Sequence, residues 1–200
     1  MEGSSSKIFM ASLFMLLAIS SCINPSFAAS ANQLSTEFIR TSCRSTTYPR
    51  LCFSSLSVHA NSIQTSPQLL ASTALNVTLF SAQSTSTAMA RISRTKGMSP
   101  KVVSAMKDCV EELIDSVDEL RKSMGEMNNF KGGFNFLLMI NDIQTWVSAA
   151  LTDESTCSDG FAGNAMNGNV KTLVRGRIVN VAQLTSNALA LINQYAALHG

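Results

Sequence analysis

Histidine is almost missing from this chain: His59 and His199 are the only two. One lies in the N-terminal third and the other beside the C-terminus, so a Ser-His-Asp hydrolytic site has little to build on. No C-x-x-C pair is present, which leaves a structural zinc site without its usual spacing. No glycine-rich loop follows a strand-like run, which excludes the common phosphate-binding loops. Aromatic residues make up only 6% of the chain, and alternation of apolar and polar residues is nowhere sustained, so little points to a sheet. Charged residues are also sparse, at 14%, with a formal net charge of +2. No arginine-rich block is present, and this argues against nucleic acid as a partner.

A long membrane-spanning run is lacking too. After Lys7 the stretch "IFMASLFMLLAISSCI" is apolar but interrupted by serines, and a spanning helix needs about 20 apolar residues. A basic start, this apolar core and the small residues of "SFA" at 26–28 describe a secretory signal peptide, 1–28, cleaved near Ala28. The expected mature chain, 29–200, is then one secreted, extracellular domain with no membrane contact. Glu2 and Lys7 leave together, so its net charge is unchanged.

What remains is helical. From 101 to 127, Val103, Met106, Val110, Leu113, Val117, Leu120, Met124 and Met127 recur at steps of three and four, the seam of a packed helix. Ser99 is its N-cap and Pro100 its first residue. Ser66-Pro67 opens a second such helix, to about 96, with Leu70, Ala74, Val77 and Phe80 as its stripe. Beyond Phe80 it is mostly Ser, Thr and Ala, which fits either a close helix contact or a weakly packed end. A third helix spans about 134–153 on Phe136, Ile140, Ile143, Val147 and Ala150, with the bulk of Trp146 assigned to the core. A fourth spans about 169–197 on Val170, Val174, Ile178, Val181, Leu184, Ala188, Leu191 and Tyr195. Between them "DESTCSDGFAGNAMNGN" reads as the one long connection. The predicted architecture is all-α: an up-down-up-down four-helix bundle, about 66–197, preceded by a helical hairpin, about 33–61.

Five cysteines are present, and Cys22 is lost with the signal. Cys43, Cys52, Cys109 and Cys157 in an oxidising compartment imply two disulfides, with three connectivities open. Proximity favours Cys43–Cys52, clamping the Tyr48-Pro49 turn between two helices too short to stand alone. Cys109–Cys157 would then tie two bundle helices together. Paired cysteines offer no thiolate nucleophile, and no cofactor or metal is called for. Asn76-Val77-Thr78 is a glycosylation sequon. Glu111, Glu112, Asp115, Asp118 and Glu119 share the polar side of one helix and read as a solvated face. The pattern is that of a binding module rather than an enzyme.

The signal peptide followed by C-x8-C around Tyr-Pro, together with "DCVEELIDSVDEL" (108–120) and "DIQTWVSAALTDESTCSDGF" (142–161), resembles the plant invertase/pectin methylesterase inhibitor family. The resemblance implies the same hairpin-plus-bundle fold and sequential pairing, Cys43–Cys52 and Cys109–Cys157. It implies a partner enzyme, with two candidates. Inhibitors of acid invertase resemble one another in a Pro-Lys-Phe motif, which "MNNFKGGFNF" (127–136) lacks. "DIQTWVSAALT" is similar to the pectin methylesterase type, so a 1:1 inhibitor of pectin methylesterase in the cell wall is the favoured expectation. Acid invertase inhibition, or a non-enzymatic wall module binding pectin, is the alternative. Asn141, Thr145, Ser148 and Thr152 fall on one polar helix face and are the candidate target-binding residues, with Lys107, Glu111 and Asp115 as a charged rim.

Overall fold

The computed structural model describes residues 25–129, 135–162 and 169–199, and helices alone make up its regular structure. In chain order they are α1 (Pro25–Cys43), α2 (Pro49–Leu56), a 3-10 turn (Ser57–His59), α3 (Ala60–Ile63), α4 (Pro67–Ile92), α5 (Pro100–Asn129), α6 (Phe136–Gly160) and α7 (Asn169–Ala197). Helices α4 to α7 form the bundle. Each packs on its chain neighbour, and α7 closes the ring onto α4. The expected signal segment lies outside the described residues up to 24, and the expected cleavage at Ala28 falls within α1. Residues 130–134, in the connection that lacks the Pro-Lys-Phe motif, also lie outside.

The start of α4 is written locally. Ser66 is extended, its Oγ accepts from Leu69 N at 3.2 Å, and Pro67 follows where a missing N–H costs nothing. The expected stripe holds at Leu70 and Ala74 but fails at Phe80, which is 73% exposed. The buried positions are instead Ala71, Leu75, Thr78, Ala82, Thr85 and Met89. Ala82, Thr85 and Met89 are buried, so one face of the Ser/Thr/Ala stretch is packed and the stretch is not a loose end. The helix stops at Ile92, earlier than 96; Gly97, at φ +88°, lies in the connection that follows.

On α5 the fully buried seam begins at Met106; in the first turn Val102 packs on the core in place of Val103, which points outward and is exposed. Helix α6 differs most from expectation: it continues to Gly160, through residues that read as a loop. Glu154, Cys157, Ser158 and Phe161 are buried at helical steps, while Ser155, Thr156 and Asp159 face solvent. The turn-forming residues thus occupy the outer face, and burial of Phe161 on Met106, Leu113, Val174 and Ile178 holds the last turn. Trp146 is only partly buried and stands outside the core.

The hairpin is longer than expected, running from Pro25 to Ile63. Ile39, Cys43, Cys52, Leu56, Ala60 and Ile63 pack on Leu70 and Ala74 of α4 and on Ala188 and Leu191 of α7. A disulfide joins Cys43 to Cys52, with Cα atoms 5.6 Å apart. Polar contacts fix the turn to the bundle. Tyr48 N donates to Asn187 Oδ1 and Asn187 Nδ2 donates to Tyr48 O, both at 3.0 Å, and Gln194 Nε2 donates to Ser42 O at 3.2 Å. The amide of a buried Asn187 therefore satisfies both backbone groups of the residue before Pro49. A second disulfide joins Cys109 of α5 to Cys157 of α6, with Cα atoms 4.3 Å apart, inside the apolar cluster at the other end of the bundle.

Candidate functional site

Helix α6 is anchored along its whole length. Near its start, Phe136 meets Tyr195 edge-on at 5.4 Å and His199 at 4.6 Å between ring centroids. About two turns on, Gln144 Nε2 donates to Asn193 Oδ1 of α7 at 2.8 Å. Further along, Ser116 Oγ of α5 donates to the fully buried Glu154 Oε1 at 2.8 Å. At the end stands the disulfide to α5. Such anchoring lets α6 present its outer face with little entropy left to lose.

Asn141, Thr145, Ser148 and Thr152 are all exposed and share that face. Thr145 Oγ1 donates to Asn141 O at 2.8 Å and Thr152 Oγ1 to Ser148 O at 3.0 Å. Ser155 and Thr156 repeat the pattern, donating to Leu151 O at 2.8 Å and Thr152 O at 2.9 Å. With their hydrogens turned inward, these hydroxyls offer lone pairs outward. The threonines and Ser155 make the face rich in acceptors and methyl groups, beside the Asn141 amide and the Ser148 hydroxyl, which can also donate; it suits a partner that brings mainly donors. Leu138, 63% exposed, adds an apolar end to it. Sequence reasoning missed Ser155 and Thr156 because it ended the helix at 153; their i+3 and i+4 spacing from Thr152 was the available signal.

The rim is acidic. Eleven of the thirteen carboxylate side chains lie on α5 and α6, and α6 carries no base. Lys107 pairs with Glu111 at 3.8 Å in the open, a contact worth little by itself, and Asp115 is exposed. Burial, and then repulsion from Glu112, Asp115 and Glu119 on α5, lift Asp153 to about 6. His59 sits exposed in the hairpin and His199 at the end of α7, so they share no site.

Burial pushes Glu154 up to about 7, against hydrogen bonds from Thr185 and Ser116 that favour its charged form. A carboxyl whose folded pKa exceeds its unfolded value makes the folded state bind the extra proton, so stability falls as pH rises between the two values. Below the ordinary Glu range the cost vanishes; above about 7 it is complete. The drop from this group is on the order of 3 kcal/mol. Thermal unfolding of the wild type is expected at lower temperature at pH 8 than at pH 5. Glu154→Gln is expected to flatten that slope, and a slope unchanged by the substitution would contradict the assignment.

Comparison with known proteins gives a consistent picture. Residues 37–191 match the family model described as plant invertase/pectin methylesterase inhibitor. The chain is 47% identical over 201 residues to the 21 kDa protein of Daucus carota, covering 100% of this chain and 99% of that one. It is 47% identical over 192 residues to pectinesterase inhibitor 11 of Arabidopsis thaliana, covering 94% of each. A crystal structure of a mutant form of a pectin methylesterase inhibitor from Arabidopsis superposes with a TM-score of 0.62 at 23% identity, over 78% of this chain and 95% of that one, and so shares the fold.

Proposed function

The chain belongs to the plant invertase/pectin methylesterase inhibitor family, and from that premise we propose that it is a secreted proteinaceous inhibitor of pectin methylesterase. It acts by occupying the enzyme's pectin cleft in a 1:1 complex and carries out no reaction itself. The observation that carries this reading is the rigid, uncharged, acceptor-rich face of α6. Its threonine hydroxyls are already oriented by their own helix, so docking onto donor groups at a cleft orders few side chains. Asn141, Thr145, Ser148 and Thr152 are the contact residues of this proposal, with the acids of α5 and α6 as a rim that tunes association rate and selectivity.

A pectin methylesterase has a cleft shaped for an extended polysaccharide, and a straight, stiff helix ridge is a fitting plug for such a groove. Steric occlusion needs neither nucleophile nor metal, which suits a chain whose four mature cysteines stand in disulfides. Secretion through the 1–28 segment, and the extracellular wall as destination, belong to the same proposal.

Side-by-side titrations test it. Purified chain added to a plant pectin methylesterase is expected to reduce ester hydrolysis linearly to an end point near one equivalent. Sucrose hydrolysis by acid invertase is expected to be unchanged. Loss of invertase activity with esterase untouched would move the chain to the family's other target.

A further inference from the structure

The molecule is electrically two-sided. Helices α4 and α7, which are neighbours, contain no carboxylate at all, and their acidic counterparts α5 and α6 form the other side. The hairpin covers α4 and α7 only where the first begins and the second ends, on Leu70, Ala74, Ala188 and Leu191. Beyond it, the C-terminal half of α4 and the N-terminal half of α7 leave an open groove of about 690 Å³.

Its lining combines two chemistries. Phe80, Gln83, Thr87 and Arg91 follow one another at helical steps on α4, and Leu173 and Arg177 face them from α7 at i and i+4. Phe80 is 73% and Leu173 49% exposed, an unusual use of large apolar side chains beside two guanidinium groups. Neither Arg91 nor Arg177 enters an ion pair among the described residues. From Phe80 to Arg91 the groove runs about 16 Å along the helix axis, the reach of an oligosaccharide and not of a single sugar.

We propose that this groove binds a carboxylate-bearing polysaccharide chain, a polyuronate such as de-esterified pectin, on the side of the molecule opposite the inhibitory face. Arginine presents a planar fork of donors that matches a carboxylate on two atoms. An exposed phenyl ring packs on the C–H face of a pyranose, and Gln83 and Thr87 supply hydrogen bonds for hydroxyls. With Arg91, Lys171, Arg175 and Arg177 and no acid, α4 and α7 set up a positive field that attracts a polyanion. The choice of polyuronate among polyanions rests on the proposed function, because removing methyl esters from pectin creates free carboxylates. A chain so equipped would be retained on the product surface of the enzyme it inhibits.

Isothermal titration calorimetry of the full secreted chain with long oligogalacturonates tests the idea. Asn76 stands one turn before Phe80 on the same stripe, so the measurement is made before and after enzymatic removal of glycans. Binding is expected in at least the deglycosylated form, weakening as salt is raised. Arg91→Gln with Arg177→Gln is expected to lower affinity roughly tenfold or more, about 1.4 kcal/mol, and Phe80→Ser several-fold. Both variants are expected to inhibit pectin methylesterase as the wild type does, which also reports that they fold. Absence of binding in both forms, equal binding of a fully methyl-esterified chain, tighter binding of a polysulfate or nucleic acid, or indifference to the double arginine substitution would overturn the proposal. Intact oligogalacturonate binding without esterase inhibition would support the groove and sink the inhibitor reading instead.

Discussion

Substituting Ser148 and Thr152 together by arginine is expected to weaken inhibition of pectin methylesterase at least a hundredfold, about 2.7 kcal/mol, without loosening the fold. Both side chains are exposed on the outer face of α6, and Thr152 donates its hydroxyl hydrogen to its own helix. Thr152 therefore offers lone pairs outward, and neither side chain carries a charge. Two guanidinium groups add charge and bulk along an uncharged ridge and replace the lone pairs of Thr152 with donors, facing donors of the partner. Such a change acts by repulsion and not by lost area alone. Arginine is also the better helix former of the residues exchanged, so thermal stability should hold or rise slightly. Circular dichroism and the unfolding midpoint check that part, and an inhibition titration checks the rest. Full potency in the well-folded double variant would remove the α6 face from the mechanism.

Much of this architecture is legible in the chain because the apolar positions of α5, α6 and α7 recur at one period and are large. Met106, Leu113, Leu120 and Met127 announce a seam, and Ile178, Val181 and Leu191 announce another; each is buried. Helix α4 is harder to read since its core positions are Ala82 and Thr85, and the eye moves to Phe80, the only large ring nearby. That ring points outward because it stands two residues, about half a turn, from both Thr78 and Ala82, which face the core. The end of α6 hides for a related reason. A buried carboxyl at Glu154 breaks the apolar pattern, and what restores it, a hydrogen bond from Ser116 and a disulfide one turn later, is tertiary. Nothing local signals either partner.

The candidate site follows the same division. Spacing alone places Asn141, Thr145, Ser148 and Thr152 on one face, since a helix of that length fixes the angle between them. The direction of the hydroxyls is invisible in sequence: Ser and Thr choose between solvent and the carbonyl four residues back only once the helix exists. The segregation of acids onto α5 and α6 is countable in the chain, but it becomes a two-sided molecule only when α7 is known to lie beside α4.

Removing the disulfide between α5 and α6 is the second change expected to be large. In the loop-entropy model the Cys109–Cys157 closure contributes about 4 kcal/mol and the Cys43–Cys52 closure about 2.7. Cys109→Ala with Cys157→Ala is expected to lower the unfolding midpoint by about 10 °C for a domain of this size. The sulfurs sit among Met106, Leu113, Phe161 and Ile178, so some packing is lost as well. Cys43→Ala with Cys52→Ala acts on the hairpin, where Asn187 and Gln194 still hold the turn. Its midpoint is expected to fall less, and inhibition to survive. Differential scanning calorimetry of the two pairs decides the order; a hairpin pair that proved the more damaging would mean that the bundle depends on its hairpin more than the packing indicates. Loss of potency in the α5–α6 pair at a temperature where it remains folded would tie stiffness of α6 directly to binding.

The central claim is that a stapled helix ridge fills another protein's groove, and a structure of the complex between this chain and a plant pectin methylesterase addresses it most directly. Asn141, Thr145, Ser148 and Thr152 should lie across the polysaccharide cleft within hydrogen-bond distance of donor groups, with the groove between α4 and α7 open to solvent. A complex in which the enzyme seats on α4 and α7 while the outer face of α6 stays wet would contradict the account.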